Sequence, residues 1–232
     1  MIPVFAPAPA VVVPTADGRG FPVHRVYCVG RNYAEHAVEM GATGREPPFF
    51  FLKPADCVVP VAAGAAGRMA YPGLTRNLHH EVELVVALGQ GGRDIPVARA
   101  LDLVWGYAVG LDMTRRDLQN DMKKQGRPWA IGKAFEASAP LGPLVPATDF
   151  APAGQAITLD VNGQRRQTGK LSDLIWNVAE TIAELSRGWT LAPGDLIYTG
   201  TPAGVGPVVP GDRITATIEG LGELLLDIDP AG

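Results

Sequence analysis

The chain has 232 residues, room for one large domain or two small ones and for a sizeable core. It is 47% hydrophobic and 19% charged, a globular composition. Its net charge of -4 argues against nucleic acid or an anionic membrane as the main partner. No apolar run approaches the roughly 18 residues of a membrane-spanning helix. The Pro/Ala/Val-rich start lacks the basic segment of a secretory signal. The 28 glycines and 21 prolines predict many turns and a sheet-rich architecture. Cys28 and Cys57 sit in apolar contexts, so buried free thiols and a reducing, cytoplasmic compartment are expected.

Residues 1–24 read as an extended, Pro-punctuated lead-in, and residues 25–232 as a single domain. RVYCVG (25–30) is a short buried strand ended by Gly30. Asn32 then fits as the N-cap of a helix over 33–40. On that helix His36 and Glu39 are three apart and share a face. A carboxylate one turn from an imidazole can orient its tautomer and raise its basicity, as a general base requires. A solvated surface pair has the same spacing, so both readings stand. Residues 41–48 form a polar Gly/Pro loop, a candidate lid. Strands at 49–52 and 57–59 flank Pro54, and Lys53 in the break faces either an anionic ligand or solvent. Residues 61–68 read as a surface loop of small residues.

HHEVELVVALG (79–89) carries the strongest pattern in the chain. On a strand, Val82, Leu84, Val86 and Leu88 face one way and Glu81, Glu83, Val85 and Ala87 the other. Two like charges roughly 6–7 Å apart along an aliphatic strand are unfavourable unless hydrated at an edge or compensated by a cation. A hard divalent cation suits carboxylate oxygens. A helix at 97–103 follows, then a strand at 105–112 whose end delivers Asp112. Three carboxylates from two strands leave octahedral positions open for water and substrate, as a catalytic Mg2+ or Mn2+ site needs. Thr114 fits as the N-cap of a helix over 115–125, on which Arg116 and Gln119 share a face. Lys133, between Gly132 and Ala134 in a turn-rich stretch, is a candidate for holding a carboxylate or a developing oxyanion.

Strands at 157–161 and 164–167 join through an Asn162–Gly163 hairpin turn. Leu171, Leu174, Ile175, Val178, Ile182 and Leu185 keep a helical period and predict one core helix over 171–187, with Ser172 near its N-cap. TGTPAGVG (199–206) lacks the lysine of a P-loop and the context of a dinucleotide fingerprint, yet suits a small anion or carboxylate. Strands at 214–218 and 224–228 close the chain, which has no internal repeat.

Taken together, CVGRNYAEHAVEMG, PPFFFLKPADCVV, LHHEVELVVALG, GYAVGLDMTRRDLQ, RPWAIGKAFEASAP, LSDLIWNVAETIAELSR and PGDLIYTGTPAGVGPV resemble the fumarylacetoacetate hydrolase superfamily, most closely its fumarylpyruvate hydrolase and acylpyruvase members. The resemblance covers nearly all of residues 20–228. It implies an α+β fold, a mixed β-sandwich roll with short peripheral helices, and a cytoplasmic homodimer. It implies one Mg2+ or Mn2+ per subunit on Glu81, Glu83 and Asp112, a catalytic dyad of His36 and Glu39, and a catalytic Lys133. Arg116, Gln119 and Thr201 match positions facing substrate, while His79 and His80 are left as structural neighbours. The implied reaction is hydrolytic cleavage of a carbon–carbon bond in a 2,4-dioxo acid, most closely fumarylpyruvate to fumarate and pyruvate, as in gentisate-type aromatic breakdown. Oxaloacetate decarboxylation and hydroxy-dienedioate isomerisation run on the same scaffold and are the alternatives. A non-catalytic, metal-stabilised module is a third.

Overall fold

The alternation in residues 82–88 has a direct structural counterpart. In the computed structural model, which describes residues 3–33 and 45–231, Val82–Leu88 is an interior strand of an eight-stranded mixed sheet. The sheet runs Phe49–Lys53, Val26–Gly30, Leu196–Tyr198, Val82–Leu88, Val104–Leu111, Ala139–Leu141, Val58–Pro60, with Val145–Pro146 beside Val104–Leu111. Val26–Gly30 pairs parallel with Leu196–Tyr198, and Val58–Pro60 parallel with Ala139–Leu141; the other pairings are antiparallel. An interior strand exposes neither face, so Glu81 and Glu83 are 5% and 2% exposed and the hydrated-edge reading is excluded.

Each face of this sheet has its own core. Val82, Leu84, Val86 and Leu88 pack with Ile157, Leu159, Ile214, Ala216, Leu224 and Leu226 of a second sheet. That sheet has five strands in the order Gln164–Lys170, Ala156–Val161, Arg213–Ile218, Gly222–Asp229, Ala66–Ala70. Val85 and Ala87 point the other way, into a cluster with Cys28, Cys57, Leu196 and Tyr198. The N-terminal lead-in caps that cluster as a hairpin of Val12–Pro14 and Gly20–Pro22, burying Val13, Phe21 and Val23. Both cysteines are buried and free. The fold is the expected α+β sandwich with few short helices; among the described residues no helix is long and apolar enough to cross a membrane.

Several local expectations differ from the structure. Residues 61–68 are not all loop: Ala66–Ala70 adds a parallel edge strand, which needs only backbone pairing. The helix expected over 171–187 is divided. Leu171–Asp173 is a 3-10 turn, and the α-helix runs only over Val178–Gly188. Asn32 captures the intervening stretch: its carbonyl accepts Ile175 N–H at 2.8 Å and its Oδ1 accepts Trp176 N–H at 2.7 Å. The helix then restarts with a capping box, Asn177 Oδ1 accepting Glu180 N–H and Glu180 accepting Asn177 N–H, so Ser172 is not its cap. Thr114 caps nothing either. Thr114–Arg115 pairs with Leu78–His80, which also pairs with Gly206–Val208, and the helix begins at Arg116. The helix expected over 33–40, with His36 and Glu39, lies outside the described residues except for Tyr33.

Candidate active site

Antiparallel pairing brings the three carboxylates together. Glu83 sits opposite Gly110, and one step along the ladder Asp112 N–H donates to Glu81 O at 2.9 Å. Glu81, Glu83 and Asp112, all buried, each offer an oxygen within 4.8 Å of the others. Burial foremost, and the Asp112 and Glu81 charges next, push the Glu83 carboxyl well above the usual carboxylate range.

Three buried cations answer them. Lys133 Nζ donates to Glu81 Oε2, Asp112 Oδ2 and Thr114 Oγ1, each at 2.7 Å. Burial acts to lower the Lys133 pKa, and the Asp112 and Glu81 charges more than offset it, so the ammonium persists. Arg116 bonds Glu81 through Nη2 and Gln119 Oε1 through Nη1, the latter at 2.5 Å. Lys53, read from sequence as facing a ligand or solvent, is 2% exposed; its Nζ lies 2.9 Å from Asp112 Oδ1 and donates to the Lys133 carbonyl.

Backbone approach makes this possible at two glycines. Lys133 ends the short helix Ala130–Lys133, which lies on Arg116–Lys124. A Cβ on Gly132 would meet Gln119 N at 2.8 Å, so only glycine admits this contact. Gly200, at φ +101°, turns its N–H onto Glu83 Oε2 at 2.7 Å.

A small well of about 30 Å3 lies among these groups, lined by Glu81, Glu83, Asp112, Arg116, Gln119, Lys133 and Thr201 together with Val29, Arg31, Phe51, Trp129 and Gly200. It gathers seven of the nine residues that the sequence singles out for the site; His36 and Glu39 lie outside the described residues. With its Oε1 taken by Arg116, Gln119 keeps its NH2 for the well. Thr201 is set likewise. Gln167 Oε1 accepts Val82 N–H at 3.1 Å, which fixes the amide, and Gln167 Nε2 donates to Thr201 Oγ1 at 2.8 Å. The Thr201 hydroxyl proton is thereby left for a ligand. His80 Nδ1 lies 2.9 Å from the same Gln167 oxygen, and His79 Nδ1 lies 3.4 Å from Arg116 Nε, so both histidines brace site residues from behind.

The donor set fits a hard divalent cation. It is all oxygen, and the buried Asp112 Oδ1 accepts no hydrogen bond despite Lys53 at ion-pair distance. Thr114, Gly200 and Gln167 were not singled out for this network by sequence, and Lys53 was read only as facing an anionic ligand or solvent.

The sequence profile of the family Fumarylacetoacetate (FAA) hydrolase C-terminal matches residues 25–228. The chain belongs to this family. It is therefore a fumarylacetoacetate hydrolase-family enzyme, of the hydrolase and isomerase type. Within the family it is 47% identical over 186 residues to the fumarylpyruvate hydrolase of a Ralstonia species, covering 80% of this chain and 95% of that protein. It is 46% identical over 197 residues to the mitochondrial oxaloacetate tautomerase FAHD1 of Mus musculus, covering 84% and 87%. The crystal structure of fumarylpyruvate hydrolase from Pseudomonas aeruginosa in complex with Mn2+ and pyruvate superposes with a TM-score of 0.96 at 56% identity, covering 99% of this chain and 100% of that one.

Proposed function

We propose that this enzyme is a divalent-metal-dependent acylpyruvate hydrolase, with fumarylpyruvate as its substrate and fumarate and pyruvate as products. The observation that carries the reading is the buried carboxylate triad of the well. Three carboxylates (Glu81, Glu83, Asp112) converge within 4.8 Å, and the cations beside them (Lys53, Lys133, Arg116) are already held in ion pairs with Glu81 and Asp112. A divalent cation on the carboxylates would act as Lewis acid toward a 2-oxo acid's carboxylate and the charge that develops as the carbon–carbon bond breaks. The relative holding Mn2+ and pyruvate supports the same occupant.

In this reading, water loses a proton to His36, whose imidazole Glu39 orients, and its oxygen bonds to the acyl carbonyl carbon. The bond from that carbon to the pyruvate methylene breaks, and its electron pair enters the pyruvate enolate. The proton held by His36 is returned to the enolate carbon, which gives pyruvate, and the acyl group departs as fumarate. Thr201 O–H and the Gln119 NH2 donate to the substrate oxygens, and Lys133 holds Glu81 and Asp112 in place. With fumarylpyruvate as substrate the enzyme serves gentisate-type aromatic breakdown.

The test is a panel of fumarylpyruvate, acetylpyruvate and oxaloacetate with Mn2+ or Mg2+, followed by product analysis. Stoichiometric pyruvate and fumarate are expected from the wild type, with at least about a 100-fold loss in His36→Ala. A second reading, tautomerisation of oxaloacetate, is favoured by the 46% identity to the mouse protein. Rapid enol–keto exchange of oxaloacetate without cleavage of either acylpyruvate would replace the first reading with the second.

A further inference from the structure

Beside the well lies a second, larger cleft of about 660 Å3, which shares Arg31, Phe51 and Trp129 with it. Its walls are apolar and aromatic, with Phe49, Phe50, Phe51 and Trp129 prominent, and its charged lining residues are Arg31, Lys123 and Arg127. No described acidic residue lines it. Three cations gathered on aromatic walls, with no carboxylate among the described lining residues, suit an anionic ligand.

Arg31 is the cation common to both cavities. Phe51 and Trp129 share that position, so the three form the wall common to well and cleft. Arg31 holds φ +56°, a left-handed conformation that is unfavourable for a non-glycine residue and persists where surrounding structure imposes it. Its guanidinium carbon lies 5.9 Å from the centre of the Phe49 ring, and its buried Nε has no hydrogen-bond partner. It forms no ion pair with a described residue. Lys123 is close enough to feel it: burial first, then the Arg31 and Arg116 charges, lower the Lys123 pKa. The remaining site cations are committed, Arg116 to Glu81, Lys133 to Glu81 and Asp112, and Lys53 to Asp112.

We propose that Arg31, with Lys123 beside it, is the receptor for the distal carboxylate of a dianionic acylpyruvate, and so selects diacids over monoacids. This deepens the acylpyruvate reading and rests on it. With the 2-oxo acid end in the well, the acyl chain runs between Phe51 and Trp129 and its terminal carboxylate meets the guanidinium of Arg31, which lines both cavities. The aromatic walls suit a flat, unsaturated acyl chain. The distal carboxylate therefore does not go to Arg116 or Lys53, whose charges are already matched.

The test compares fumarylpyruvate with acetylpyruvate, which lacks the distal carboxylate, on the Mn2+-loaded enzyme. In Arg31→Gln the kcat/KM ratio of diacid to monoacid should fall about 10- to 100-fold, the range of a lost charge-assisted hydrogen bond. Arg31→Lys should restore part of that ratio, and Lys123→Gln should lower it by a smaller, salt-sensitive factor. Fumarate, as a competitive inhibitor, should weaken in Arg31→Gln relative to the monoacid crotonate. Equal losses on both substrates, or an unchanged ratio with unchanged fumarate inhibition, overturn the assignment. A wild type that cleaves neither substrate overturns the acylpyruvate reading itself, whereas a wild type that cleaves both with the ratio unmoved in Arg31→Gln removes only the Arg31 receptor.

Discussion

Lys53 is the residue on which the network turns, because it ties backbone to charge. Its ammonium is buried against Asp112 Oδ1 at 2.9 Å and the Met113 carbonyl at 3.3 Å, and it also donates to the Lys133 carbonyl. One side chain thus fixes a carboxylate of the triad and the end of the helix that presents Lys133. Removing one partner of a buried ion pair costs about 3–5 kcal/mol, and the lower end applies here because Asp112 keeps Lys133. Lys53→Met should lose stability on that scale in denaturant titrations of the metal-free protein. Arg213→Ala, breaking an exposed pair with Asp227, should lose less than about 1 kcal/mol. Similar losses in the two variants would mean that Lys53 is solvated and that the buried network is looser than its distances imply. The sequence could not reveal this burial, since a lysine between Leu52 and Pro54 can as easily extend its stem and reach water.

At the scale of elements, the position of Lys133 depends on how closely two helices approach. Gly132→Ala sets two effects of opposite sign against each other. Alanine gains up to about 1 kcal/mol of helix propensity. Its methyl would lie 2.8 Å from Gln119 N and 2.9 Å from Gln119 Cα, backbone and near-backbone atoms that cannot swing aside. Overpacking of that kind is worth about 1–3 kcal/mol and should win, lowering both the melting temperature and kcat as Lys133 and Gln119 move apart. A variant as stable and active as the wild type would show that the helices have slack. The same dependence on tertiary contacts explains what the sequence could reveal of the elements. The alternation of 82–88 and the Asn162–Gly163 turn, with φ of 52° and 76°, are local signals, and both appear as expected. Leu174 and Ile175 satisfy a helical period, but the hydrogen bonds from distant Asn32 win over propensity there. Thr114 looks like a cap, but Lys133 and the Asp112 carbonyl use its hydroxyl. Glu81 and Glu83 stood out because they interrupted an aliphatic strand, Lys133 by its small neighbours and Arg116 and Gln119 by a shared helix face, while Thr201 came from the family resemblance alone. Arg31 and Gln167 did not stand out, because their roles come from residues far away in sequence.

For the whole molecule, the site lies on the central strands of the sheet that separates two cores, so its electrostatics bear on global stability. Burial and two neighbouring carboxylates hold Glu83 above the ordinary range, so ionising it in the metal-free fold is unfavourable, and a bound cation would reverse that. A ligand that binds only the folded state at about 100 times its Kd adds about 2.7 kcal/mol. In a chain of this size that corresponds to a rise in Tm of roughly 5–10 °C. Saturating Mn2+ should therefore raise the Tm of the chelator-treated protein by that amount. Glu83→Gln keeps the side chain's size and removes the charge. It should melt no lower than the wild type without metal, because the charge was unfavourable there, and it should lose most of the Mn2+-induced rise. The two measurements separate the causes: a lower metal-free Tm would mean that Glu83 holds the fold through Gly200 N–H, and a full Mn2+ rise in Glu83→Gln would locate the cation away from the triad.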